Sequence, residues 1–375
     1  MPRLSHLILW KNKLSKLESC NFFGLQNLRE LILSANNIDM KHVNPIDPGD
    51  VFEHIGNLDV LSLSDNRIEK VPTRIFSKLN RLKRLDLDGN SMKIIHVESF
   101  QGLDQLFGLF LSRNELHSIP VMVFSLLVKL DYLDLSHNNL QKFHRHSFHG
   151  LTQLKTLIVK FNNIKTIEME PFAPLKNLKR LNMNDNVITG LTARTFSTLK
   201  KLIYLNLERN LISRICDHSF SNLANLEDLN LQSNRIPSIR HSQFIGLSNL
   251  MYLSVTSNVV QSIKCGAFSE LGKLTVLRMQ NNQLEEITVC MLKGLHSLSG
   301  LFLASNEIRR IEYNSFCETP RMNALDLKAN NLTNVKEKAL SCLDDIYSLD
   351  ISWNYHRELP LKKITKFKFL QKFID

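Results

Sequence analysis

The apolar positions of this chain return at a fixed interval. LDVLSLSDNRI from 58, LKRLDLDGNSM from 82, LDYLDLSHNNL from 130 and LIYLNLERNLI from 202 fit one template, LxxLxLxxNxI, with a period of 24 residues. The template asparagine falls at Asn12 and Asn36, then, after six extra residues, at Asn66 and every twenty-fourth position onward to Asn354. Fifteen rungs in one register predict stacked repeats rather than separately folded domains.

Each template position has a physical role. Side chains alternate across a strand, so in the LxL of residues 133–135 the leucines face inward and Asp134 faces out. A buried Asn carries two donors and one acceptor, which suits it to pairing turn carbonyls and amides that would otherwise be buried alone. Ten residues past the Asn a phenylalanine recurs, at 76, 100, 124, 148, 172, 196, 220, 244, 268 and 316. Stacking the rungs lines these rings up as an aromatic column in the outer half of the core.

This layout resembles the 24-residue leucine-rich repeats of extracellular proteins: Slit, the Toll-like receptors, chaoptin and the leucine-rich repeat and immunoglobulin-like proteins. The resemblance covers essentially the whole chain. It implies an α/β repeat solenoid, a single right-handed arc with a parallel β-sheet on its concave side and irregular or short helical segments on its convex side. The expected bounds are one solenoid over 4–367, a loop insertion near 39–51 and a basic tail at 368–375. Secreted members of these families close the solenoid with cysteine-rich caps, and neither end of this chain has clustered cysteines. The expectation is therefore a fragment of a secreted or cell-surface protein whose signal peptide lies outside this sequence.

Composition narrows the reading. Hydrophobic residues at 43% and charged residues at 22% describe a folded chain with a core to bury, and no apolar run reaches the roughly 20 residues that span a bilayer. The net charge of +11 would suit a polyanion if it were gathered on one surface. The outward strand positions of all fifteen rungs hold twelve Lys or Arg and thirteen Asp or Glu, so the excess lies elsewhere, including Lys362, Lys363, Lys366, Lys368 and Lys372. A nucleic-acid cleft is not expected.

Candidate chemistry is sparse. His137, His144, His146 and His149 crowd one stretch, but the last three alternate with the core positions Phe143, Phe148 and Leu151 and are read as solvated surface rather than a metal site. Asp59, Asp65, Asp86 and Asp88 could approach a calcium ion, yet Lys83 and Arg84 beside them indicate a mixed-charge surface. The catalytic signatures G-x-S-x-G, G-x-x-x-x-G-K-[ST] and H-E-x-x-H are absent, so neither an enzyme nor a cofactor is expected. Cys265 with Cys290, and Cys317 with Cys342, lie on adjacent rungs. They are candidates for rung-to-rung disulfides or for small core residues. Asn331-Leu332-Thr333 is a candidate N-glycosylation sequon.

The expected function is non-enzymatic binding of a protein ligand or receptor. The alternatives are a matrix or sulfated-glycan binder using the basic convex side, and an intracellular, cytoplasmic scaffold. The binding surface is assigned to one outward column, Tyr132, Thr156, Arg180, Tyr204, Asp228 and Tyr252, with Phe110 at its upper end and Glu208 and Arg209 flanking its middle. Tyr and Arg combine large contact area with a polar end, and they most often carry binding energy.

Overall fold

The computed structural model describes residues 3–44, 46–167, 170–356, 364–365, 367 and 370–374. The chain forms two compact units, residues 1–187 and 188–375. In both, the LxL segments are three-residue strands that stack in parallel with matched registers.

In the first unit the strands run from His6–Ile8 through Glu30–Ile32, Val60–Ser62, Arg84–Asp86, Gly108–Phe110, Tyr132–Asp134 and Thr156–Ile158 to Arg180–Asn182. Their central leucines lie opposite one another, Leu85 against Leu109 and Leu109 against Leu133. The second unit continues the pattern with Tyr204–Asn206, Asp228–Asn230, Tyr252–Ser254, Val276–Arg278, Gly300–Phe302, Ala324–Asp326 and Ser348–Asp350. Lys372–Ile374, within the expected tail, is a further strand parallel to Ser348–Asp350. Leu370 and Phe373 repeat Ile346 and Leu349 at the 24-residue interval, so this segment opens another repeat. The expected lysine cluster at 362, 363, 366 and 368 lies outside the described residues.

The asparagines act as a ladder. Asn114 is buried, and its Nδ2 donates to the carbonyls of Leu111 and Ser112 in its own rung and of Leu87 in the rung before, at 3.0–3.2 Å. Its Oδ1 accepts the Met92 N–H at 3.1 Å. Asn234 repeats this in the second unit, with Leu231, Gln232 and Leu207 as acceptors and the Ile212 N–H as donor. The residue before each of the fifteen asparagines takes a left-handed φ, from 50° at Arg209 to 64° at Gly89, and Phe161 and Trp353 are among them. That conformation is unfavourable for a bulky side chain. The hydrogen bonds on either side hold it: the Arg113 N–H, for instance, donates to Ser136 of the next rung.

The outer half of the rungs is irregular or 3-10 helical, as in Pro48–Ile55 and Val289–Leu292, with short parallel pairs past the asparagine turn such as Lys142–Phe143 with Thr166–Ile167 and Ser238–Ile239 with Ser262–Ile263. Phenylalanines fill it in parallel-displaced stacks. Phe22, Phe52 and Phe76 have centroid spacings of 6.2 and 6.0 Å in the first unit, and Phe196, Phe220, Phe244 and Phe268 have spacings of 6.0–6.3 Å in the second. Phe52 joins the column because the six extra residues precede it, which restores the stacking position after the insertion. Gly150 makes a tight turn between rungs, with φ 92° and an added Cβ only 2.6 Å from the Ser125 Cα. Gly150→Ala is expected to lower the unfolding free energy by more than about 1 kcal/mol, read by urea denaturation; an unchanged midpoint would show that the turn relaxes freely.

Candidate functional site

In each unit the outward strand positions carry an aromatic and charged cluster. In the first, the in-register column is Arg84, Gly108, Tyr132, Thr156 and Arg180. Phe110 does not belong to it. It pairs with Asp86 and Asp134 in the neighbouring column, and its ring swings over the space left by Gly108, where an added Cβ would lie 3.1 Å from Phe110 Cε2. There Phe110 meets Tyr132 at a centroid distance of 5.1 Å, and the Arg84 guanidinium lies 3.9 Å from the centre of the Phe110 ring. A cation over an aromatic face and a tilted ring pair together make a preorganised Arg–Phe–Tyr surface.

Carboxylates border this surface. Asp88 accepts the Ser112 N–H at 2.5 Å, and Asp86 accepts the Asp88 N–H at 3.1 Å. Burial, reinforced by the charges of Asp86 and Asp134, pushes Asp88 up to about 6 against the pull of its Ser112 hydrogen bonds. Burial and the charges of Asp134 and Asp88 also push the Tyr132 phenol up. Asp59 and Asp65, read with them as a candidate calcium set, are engaged in ion pairs. Asp59 meets Lys83 at 2.9 Å, and Asp65 meets Arg113 at 2.9 Å across the side-chain-free Gly89.

The raised Asp88 makes a signed prediction. Its folded value exceeds the unfolded value of about 4, so its favourable contribution is complete below pH 4 and is lost as pH rises through 6. Holding the proton up to about pH 6 corresponds to about 3 kcal/mol, and solvent screening of this partly open group reduces that to about 1 kcal/mol. Asp88→Asn keeps an acceptor for Ser112 and removes the charge. It is expected to raise stability by about 1 kcal/mol at pH 7.5 and to leave it unchanged at pH 4. Urea denaturation at both pH values checks this, and an equal effect at the two would count against it.

In the second unit Tyr204, Asp228 and Tyr252 are in register, and Val276 follows. They line a shallow hollow of about 270 Å³ with Asn230, Gln232 and Arg278. Tyr252 is half exposed. Glu208 is held beside the hollow by the Asn230 and Gln232 amides at 3.1 and 3.3 Å, and Arg209 Nε lies 3.8 Å from its carboxylate. The sequence reading thus named Tyr204, Glu208, Arg209, Asp228 and Tyr252 here, and Tyr132, Arg180 and Phe110 in the first unit. It placed Arg84 and Asp88 in a mixed-charge surface rather than in this cluster, and it missed Asn230, Gln232 and Arg278. The usable signal for Arg84 was the strand triplet Gly-Leu-Phe one rung on, because a glycine in the outward column leaves room for the neighbouring column's aromatic.

The remaining candidates lie on the loop side. His137 stacks on Phe161 at 4.3 Å, apart from His146 and His149, whose rings are 6.4 Å from each other. Among the described residues no three His, Cys, Asp or Glu side chains are placed to share a metal ion. Cys317 and Cys342 form a disulfide with a Cα–Cα distance of 5.0 Å. Cys265 and Cys290 are thiols, and the neighbouring Cys265 thiol, with burial, pushes the Cys290 thiol up. Asn331 is half-buried and donates its N–H to Ile308, and Thr333 is exposed.

Parallel three-residue strands, an asparagine ladder and irregular outer segments define a leucine-rich repeat solenoid with a side-chain-bearing sheet face. The chain belongs to the leucine rich repeat family, whose profile matches residues 56–116, 108–164, 152–212, 177–236, 225–284 and 273–332. It is 36% identical over 104 residues to human leucine-rich repeats and immunoglobulin-like domains protein 3, a match covering 28% of this chain and 8% of that protein. In fold it is similar to a leucine-rich repeat protein of Leptospira interrogans, with a TM-score of 0.79, 25% identity and coverage of 99% of this chain and 90% of that one. It also resembles Toll in the Drosophila Toll–Spatzle complex, with a TM-score of 0.78, 21% identity and coverage of 94% and 45%. Among the described residues no helix is long and apolar enough to cross a membrane.

Proposed function

We propose that this chain is a non-enzymatic protein-binding module of a secreted or cell-surface protein, and that its partner docks on the sheet face. The observation that carries the reading is the pair of preorganised clusters, Arg84–Phe110–Tyr132 and the Tyr204–Asp228–Tyr252 hollow. Both present aromatic and arginine side chains on three-residue strands, so little entropy is lost when a partner covers them. The Toll–Spatzle relative supports the reading by analogy, as a repeat protein in complex with a protein ligand. The Cys317–Cys342 disulfide and the Asn331 sequon support an oxidising, glycosylating compartment.

A photo-crosslinking residue placed at 252 is expected to capture a specific partner from cell-surface extracts or conditioned medium. The same residue at the exposed loop-side position Glu270 is expected to capture none. With that partner in hand, Tyr204→Ala and Arg180→Ala should each weaken binding by about 1 to 3 kcal/mol without altering the unfolding midpoint. Crosslinking from 270 alone would move the site to the loop side.

One observation favours a second reading. The sheet-face tally is near neutral while the chain carries +11, so the basic excess lies off that face. A sulfated-glycan contact there would give retention on heparin with steep salt dependence, untouched by Tyr204→Ala.

A further inference from the structure

Two cysteine pairs in the second unit share one sequence separation. Cys317 and Cys342 are 25 residues apart and bridged, and Cys265 and Cys290 are also 25 apart (290 − 265). One residue more than the repeat carries the second cysteine of each pair onto the next rung. A backbone hydrogen bond brings the segments of the unbridged pair together. Gly266 takes a left-handed φ of 69° immediately after Cys265, and its N–H donates to the Cys290 carbonyl at 3.1 Å. The neighbouring Cys265 thiol, together with burial, pushes the Cys290 thiol up. Cys265 is exposed and Cys290 is half-buried, so one sulfur meets solvent with the other beside it.

We infer that Cys265 and Cys290 are an oxidation site that closes to a second rung-to-rung disulfide on reaction with low-molecular-weight disulfides. The exposed Cys265 thiolate attacks one sulfur of the oxidant, the oxidant's S–S bond breaks, and one small thiolate leaves and takes up a proton. Cys290 then loses its proton and attacks the Cys265 sulfur of the mixed disulfide, releasing the second small thiol. Two protein thiols are oxidised, and one small disulfide is reduced to two thiols. The product ties the rung of Asn258 to that of Asn282, as Cys317–Cys342 ties the rung of Asn306 to that of Asn330. Of the other two thiols, Cys20 belongs to the first unit and hydrogen-bonds Glu18, and Cys216 lies two rungs before Cys265.

The test uses the full chain with the Cys317–Cys342 bond intact, incubated with glutathione disulfide, quenched by alkylation and mapped by peptide mass. Free thiols are expected to fall from four to two, with 265 and 290 recovered in one crosslinked peptide. Cys290→Ser is expected to stop at a glutathione adduct on Cys265. Circular dichroism confirms that this variant is folded. Four thiols surviving oxidation would overturn the inference. So would a glutathione adduct on Cys265 that persists in the unmutated chain, or a crosslink from Cys265 to Cys216 instead.

Discussion

Phe220→Ala is expected to destabilise the second unit by about 3 to 5 kcal/mol, the cost of emptying a fully enclosed aromatic site. Phe220 is buried between Phe196 and Phe244, at 6.2 and 6.3 Å, with both ring pairs inclined by only 7°. Truncation would remove a stacking face from both neighbours at once. The outer segments are fixed by strands and turns on both sides, so they cannot collapse into the gap. Phe220→Leu should cost no more than about 1.5 kcal/mol, because a volume-near apolar replacement keeps the site filled. Leu292 and Leu340 already hold the equivalent position in their own rungs, and both are buried. Urea denaturation followed by circular dichroism measures both variants. Stability in a stacked repeat is a sum over neighbours, so Phe220→Ala should also broaden the transition by uncoupling the rungs on either side. A loss under about 1 kcal/mol for the Ala variant would mean that the column is a by-product of packing rather than a source of stability.

Much of this architecture was legible because a solenoid is written one rung at a time. The period, the strand positions, the inward leucines, the ladder asparagines and most of the phenylalanine column follow from local spacing alone. Phe22 fits the ten-residue spacing from Asn12 and was overlooked, whereas Phe52 falls off that spacing. Phe52 sits sixteen residues past Asn36, and its membership depends on the insertion looping out beforehand. The strand Lys372–Ile374 was missed for a similar reason, since the chain stops before the template's asparagine and only Leu370 and Phe373 mark the repeat. The site was legible in its columns but not in its contacts. Column membership predicts which side chains share a face, while the reach of Phe110 over Gly108 and of Arg113 over Gly89 depends on rotamers that spacing does not encode. The position of Arg84 over Phe110 and the depth of Asp88 belong to that same second level.

Asn138→Ala is expected to cost about 3 kcal/mol, although it removes only a short side chain. Asn138 Nδ2 donates to the carbonyls of Leu111, Leu135 and Ser136 at 2.9–3.1 Å, and Oδ1 accepts the Leu116 N–H at 2.9 Å. Alanine leaves these groups without that partner in a site that is 6% exposed. The Leu116 N–H is the group left orphaned, at about 1 to 3 kcal/mol, whereas the carbonyls of Leu111, Leu135 and Ser136 each lose one bond and keep a second donor, Asn114, Asn162 and Arg113 respectively. The same bonds hold His137 in its left-handed conformation at φ 52°, so the variant also loosens the turn that presents the sheet face. Asn12 supplies the control. It stands in the exposed first rung and donates to Leu9 and Trp10 at 3.0 and 3.3 Å, where water can replace it. Asn12→Ala should therefore cost less than about 1 kcal/mol. Hydrogen exchange gives the sharper reading. In Asn138→Ala the amides of Leu116 and its neighbouring rungs are expected to lose protection while those of the second unit keep theirs. Equal costs for Asn12→Ala and Asn138→Ala would show that the asparagine is retained for its turn conformation rather than for the buried bonds it makes.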